Sequence, residues 1–164
     1  METALDWLAT IINAYKARDS DSTPARPCFR IGASVDAISR LEASLACRLP
    51  LSLRSLLSQT DGVTEEIEIA PDHWIAASIV IYSIDEMIDT NSYMQCSYGN
   101  RHVNRYCFFS TAGTDGIQFG FPADSEDRED ASVLAWYPDE TAAKCMGDGL
   151  LQFLTGWCSG STAV

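Results

Sequence analysis

The sequence predicts a single α+β domain, a mostly antiparallel sheet with helices packed on one side. Three observations carry this reading. Apolar residues recur at helical spacing near both ends of the chain and again between 35 and 57, while the middle holds short β-branched and aromatic runs separated by turn residues. Those runs follow one another largely without helices between them, and Asp115-Gly116 marks a tight hairpin, so antiparallel pairing fits better than alternating βαβ units. A chain of 164 residues can bury about 70% of its unfolded surface, which makes one core the expectation.

The elements follow in order. Leu5, Leu8, Ile11, Ile12 and Tyr15 define an amphipathic helix within residues 1–18, with Trp7 at its edge. Residues 19–33 begin with a stretch rich in Ser, Thr, Asp and Pro and read as a connecting segment. Val35, Ile38, Leu41 and Leu45 form one face of the next helix; Ser34 caps it and Asp36 lies in the first turn, where the helix dipole favours an acid. Pro50 cannot donate a helical hydrogen bond and biases Leu49 away from helical backbone, so that helix stops. A second one starts there, with Leu53, Leu56 and Leu57 inward and Gly62 as the left-handed residue at its end. Glu65, Ile67 and Ile69 alternate with acids as in a short exposed strand, and Ile75 to Tyr82 reads as a buried one. Ser83 and Glu86 make a capping-box pattern for a helix running through Ile88. Asn91 to Asn104 is polar and reads as a surface loop. Arg105–Ser110 and Ile117–Phe121 form the hairpin strands, Ser132–Tyr137 is a further strand, and Ala142–Trp157 is a closing helix interrupted by Gly147 and Gly149.

Charge is the second strong signal. The net value of −12 is unevenly spread. Residues 1–54 hold six acids and seven bases, while residues 55–164 hold seventeen acids and four bases. Between Ser55 and Asn100 there are eight acids and no Lys or Arg, and Asp124 to Asp130 adds five acids against Arg128. Such a field repels nucleic acid and anionic membranes and attracts a basic protein. No apolar stretch approaches the roughly 20 residues needed to cross a bilayer, and the acidic, helix-like N-terminus does not resemble a secretion signal. The six cysteines then read as reduced and packed in a cytoplasmic protein.

Chemistry finds little support. Cys96 and Cys107 flank His102, and Asp115 could orient an imidazole, but no Cys-x-x-Cys pair or fourth zinc ligand accompanies them. The glycines of TAGTDG lie in a hairpin with no following helix and no nearby cation, unlike a phosphate cradle. ADSEDRED lacks the ligand spacing of an EF-hand loop. The reading is therefore non-enzymatic, without cofactor or metal, and the acids and aromatics point to protein binding. Candidate contacts are Asp61, Glu65, Glu66, Asp72, Asp124, Glu126 and Asp127, with Trp74 as an aromatic anchor.

The run ISRLEASLACRLPLSLRSLLSQTDG, Ile38 to Gly62, resembles the SUKH superfamily in its order of Leu-Glu, Leu-Pro and a Leu-rich helix ending in Asp-Gly. IVIYSIDEMIDTN, CFFSTAGTDGIQFGFPAD, VLAWYPDE and LLQFLTGW extend the likeness to Trp157. Ala46 stands where members often carry glycine, and Asp61 where Asn is common. The resemblance implies a SUKH-like core at 34–158, followed by a tail at 159–164. It also implies a cytoplasmic immunity protein that binds and neutralises a cognate polymorphic toxin, which the acidic charge of residues 55–164 leads one to expect to be basic and nucleic-acid-directed. The alternative it implies is a regulatory scaffold like the fungal cell-wall regulators of the superfamily.

Overall fold

The computed structural model describes residues 5–124 and 129–164. Its helices are α1 (Trp7–Lys16), α2 (Val35–Leu45), α3 (Leu51–Gln59), α4 (Ile84–Tyr98) and α5 (Leu150–Ser159). Its strands are β1 (Ala25–Phe29), β2 (Val63–Ala70), β3 (His73–Ile81), β4 (Tyr106–Thr111), β5 (Gln118–Pro122), β6 (Val133–Trp136) and β7 (Lys144–Gly147). Pairing is antiparallel throughout, in two sheets ordered β1-β2-β3 and β4-β5-β6-β7. The sheets abut where the Tyr82 amide donates to the Phe109 carbonyl at 2.9 Å and the Ser110 hydroxyl donates to the Val80 carbonyl at 2.6 Å. This is the α+β architecture expected.

One continuous core runs from Trp7 and Ile11 through Leu41, Leu53, Leu56 and Leu57 to Phe119, Phe121 and Phe153. Its centre is aromatic: Phe109 stacks on Phe121 with centroids 4.7 Å apart, and Phe119 meets Phe153 at 4.9 Å. A second cluster joins Met94, Val103, Phe108 and Trp136. Successive residues of a strand point to opposite faces. Ala135 belongs to the main core and Trp136 to the second cluster, so the four-stranded sheet is covered on both faces there, with α4 supplying Met94.

Local signals act as expected at several points. Ser34 Oγ accepts from the Ala37 amide at the start of α2. The α4 capping box is complete: Ser83 Oγ accepts from the Glu86 amide, and Glu86 Oε2 accepts from the Ser83 amide. Asp115 and Gly116 have φ of 54° and 70°, the positive pair that a type I′ hairpin turn requires.

Other expectations change. Trp7 is buried, not at an edge, because its amide donates to Gln59 Oε1 and its indole Nε1 to Ser55 Oγ on α3. Leu5 and Val35 are exposed, so burial of α2 begins one turn later, at Ile38. α3 stops at extended Thr60, and Gly62, with φ of 98°, turns the chain only afterwards. The segment read as a connection contains β1. The strand expected to be buried, β3, is largely exposed from His73 to Ala77. The polar stretch read as a loop continues α4 to Tyr98. Asn91 explains this: its Nδ2 donates to the Met87 and Phe108 carbonyls and its Oδ1 accepts from the Phe108 amide, so the helix docks as if it were a strand partner.

The expected closing helix is really β7 followed by α5. Asp130 reaches across to the α5 N-terminus, where its carboxylate accepts from the Leu150 amide and from Ser52 Oγ. A Cβ at Gly149 would meet that carboxylate, so a larger residue there would make Asp130 move from its capping position.

Candidate protein-binding surface

Four of the predicted contact residues, Glu65, Glu66, Asp72 and Trp74, come together on the β2–β3 hairpin, through β2, β3 and the turn between them. Glu66 is opposite Arg26 of β1 and Ala76 of β3, and Glu68 is opposite Trp74. Arg26 bonds Glu66 at 2.8 Å and lies 4.3 Å above the Trp74 ring, so the cation is held by a carboxylate and an aromatic face together. At the hairpin tip Asp72 adopts φ of 59°, and its amide donates to Glu68 Oε1 at 2.8 Å.

Glu65 faces inward. Its Oε2 accepts from Arg18 at 2.5 Å and from the Tyr15 hydroxyl at 2.9 Å, while Arg18 Nε donates to the Cys158 carbonyl at 2.6 Å. The carboxylate thus ties β2 to α1 and α5. Burial, with Cys158 and Glu65 close by, pushes the Tyr15 phenol well above its ordinary range. Burial likewise pushes the Cys158 thiol up to about 12.

The remaining predicted positions lie apart. Asp61 Oδ1 accepts from the Ile84 amide at 2.8 Å and so helps cap α4. Asp124 is exposed just beyond β5, in the other sheet. Glu126 and Asp127 lie outside the described residues. The balanced first third of the chain supplies cations to the acid-rich segment: Arg18 pairs with Glu65, Arg26 with Glu66, Arg30 with Glu86, and Arg40 with Asp85. An unbroken anionic face over β2 is therefore not what the fold presents. The sequence shows seven bases ahead of a segment with eight acids and no Lys or Arg, but not which of them meet.

Sequence reading missed the apolar component of the hairpin. Ile69 and Ile75 are 55% and 41% exposed. β3 pairs with β2 along its length, yet contacts across its other side fall near Val80 and Tyr82, where β4 begins to run alongside. Among the described residues, His73–Ala77 has no strand on its outer edge. An open edge of this kind offers backbone donors and acceptors to an extended segment of another chain. The signal for it was the alternation of Ile67 and Ile69 with acids in a strand long enough to outrun the core.

Cys96, His102 and Cys107 do not assemble. Cys96 and His102 are exposed, whereas Cys107 is buried against Cys47. Among the described residues no three His, Cys, Asp or Glu side chains form a metal-holding group, and no helix is long and apolar enough to cross a membrane.

Among curated proteins none matches the chain significantly. The family profile described as SMI1 / KNR4 family (SUKH-1) matches residues 32–156, from the loop before α2 into α5. That span takes in both sheets except β1, together with the Pro50 hinge, the α4 capping box and the Asp115-Gly116 hairpin. The chain belongs to the SMI1/KNR4 (SUKH-1) family.

Proposed function

We propose that this protein is a cytoplasmic immunity protein that neutralises a cognate toxin by binding it through the β2–β3 hairpin. The single observation carrying the surface is the open outer edge of β3, flanked by exposed Ile69 and Ile75 and by the Arg26–Trp74 stack. The edge supplies directional hydrogen bonds, and the isoleucines and indole supply apolar area. Glu68 and Asp72 at the tip leave negative charge for a basic partner. Family membership supports a protein-binding role, and the net charge of −12 favours rapid capture of a cationic toxin, since steering can raise association rates to about 10⁸ M⁻¹s⁻¹ at low salt.

The test is co-expression with the neighbouring gene product, followed by copurification and an assay of that product's toxicity. Ile69→Asp and Ile75→Asp should each abolish copurification and restore toxicity while the thermal melt stays near that of the parent. Full protection by the double variant would reject this surface. Copurification without any inhibition would instead favour the regulatory-scaffold reading of the family.

A further inference from the structure

Two thiols face each other inside the molecule. Cys47 lies in the turn between α2 and α3, directly after left-handed Ala46, and Cys107 lies on β4. Both are buried, and their sulfurs are 2.6 Å apart, well inside the distance at which non-bonded sulfurs rest. Of the other cysteines, Cys28, Cys96 and Cys145 are exposed, and Cys158 sits under the Arg18–Glu65 network. The pair also borders a cavity of about 360 Å³, walled by Leu45, Asn91, Gln95 and Cys96 among others. Both cysteines line that cavity, which is partly open to solvent.

We propose that Cys47 and Cys107 are a redox modification site that closes to an intramolecular disulfide when a peroxide or a small disulfide supplies the oxidation. With a peroxide, one thiolate attacks the O–O bond, forming a sulfenic acid and releasing water; the second thiol then attacks that sulfur and releases a second water. Two thiols lose two electrons and two protons, and hydrogen peroxide is reduced to two waters. With a small disulfide, the first attack gives a mixed disulfide and one free thiol, and the second cysteine displaces the other.

The bond would join the α2–α3 turn to the central strand, positions separated by 60 residues. It would thereby restrict the unfolded chain more than the folded one. The hydrogen bond to Cys47, then burial, then the nearby Glu42 carboxylate all push the Cys107 thiol far up. Thiolate is therefore scarce, and closure is slow compared with reaction of the exposed cysteines.

The experiment uses the full chain carrying Cys28→Ala, Cys96→Ala and Cys145→Ala, incubated with hydrogen peroxide or oxidised glutathione and then alkylated under denaturing conditions. Peptide mapping should find the Cys47 and Cys107 peptides joined, two hydrogens lighter than their sum, and released by a reductant. The oxidised form should melt about 5–10 °C above its own reduced form. Adding Cys107→Ala should remove both the link and the oxidant-dependent shift, each variant being compared with itself so that a lower baseline does not matter. Full alkylation of both cysteines, stable glutathione adducts without the link, or a bond to Cys158 would each overturn the proposal.

Discussion

The two sheets are built from similar antiparallel strands but are held together by different forces. The four-stranded sheet is an aromatic interior: Phe108, Phe109, Phe119, Phe121 and Trp136 are all buried, and Phe153 and Trp157 of α5 close over one face. The three-stranded sheet buries Val63, Val80 and Ile81 at one end and then runs outward, where ion pairs and a cation over an indole replace apolar contact. The first sheet supplies most of the area taken from water and hence the stability. The second exposes an edge and apolar side chains that cost little to keep exposed on a stable support, which is what a docking element needs.

The contrast can be broken most directly in the aromatic sheet. Phe119→Ala removes a ring packed between Phe153 and Trp157 and should cost about 3–5 kcal/mol in urea unfolding. A loss below about 1 kcal/mol would mean that the interior collapses freely and is not a close-packed core.

Glu65→Gln tests whether the three-stranded sheet depends on its ionic tie. It leaves the partly buried Arg18 without a counter-charge and should cost about 2 kcal/mol, whereas Glu66→Gln, beside the more exposed Arg26, should cost under about 1 kcal/mol. Equal losses at the two positions would erase the distinction between the inward and outward faces of β2.

Alkali should weaken the molecule through the groups beneath that same strand. Cys158 is raised to about 12, while an unfolded thiol titrates near about 8.5. Between those values the unfolded chain has lost a proton that the folded one keeps, so stability falls as pH rises through this window and is fully present below it. The slope approaches about 1.4 kcal/mol per pH unit for one such group; Cys107, raised as well, adds a second contribution of the same sign over this range, and Tyr15 adds to it only at higher pH. Urea melts between pH 7 and 10 read this directly; a flat profile would place Cys158 in contact with solvent.

The smallest effect concerns the hinge. Ala46 occupies left-handed backbone with φ of 51° at the end of α2. Ala46→Gly should therefore stabilise by about 0.5–1 kcal/mol in the same assay, and destabilisation would show that the methyl group packs more than it strains.

Much of the local architecture was legible because its causes lie within a few residues. Pro50 opens α3, Ser34 and Ser83 cap helices, and Asp115-Gly116 closes a hairpin, each through neighbours along the chain; α2 itself ends before Pro50, at left-handed Ala46. The errors fall where a distant partner decides. Asn91 looks like a loop residue until Phe108 presents an amide and a carbonyl to it. Gly147 and Gly149 look like helix defects until β6 pairs with β7 and Asp130 arrives to cap α5. The candidate surface was half legible: β2 and its acids were readable, but their neutralisation by Arg18 and Arg26 and the free edge of β3 were not.

The class of fold, the capping and turn sites and the strong charge asymmetry were already set along the chain, because periodicity, backbone preference and composition are properties of residue order. Which of those charges would remain unneutralised was settled on folding. Arg26 meets Glu66 across 40 residues and Arg18 meets Glu65 across 47, and Coulomb attraction acts on distance in space, which the order of residues does not encode.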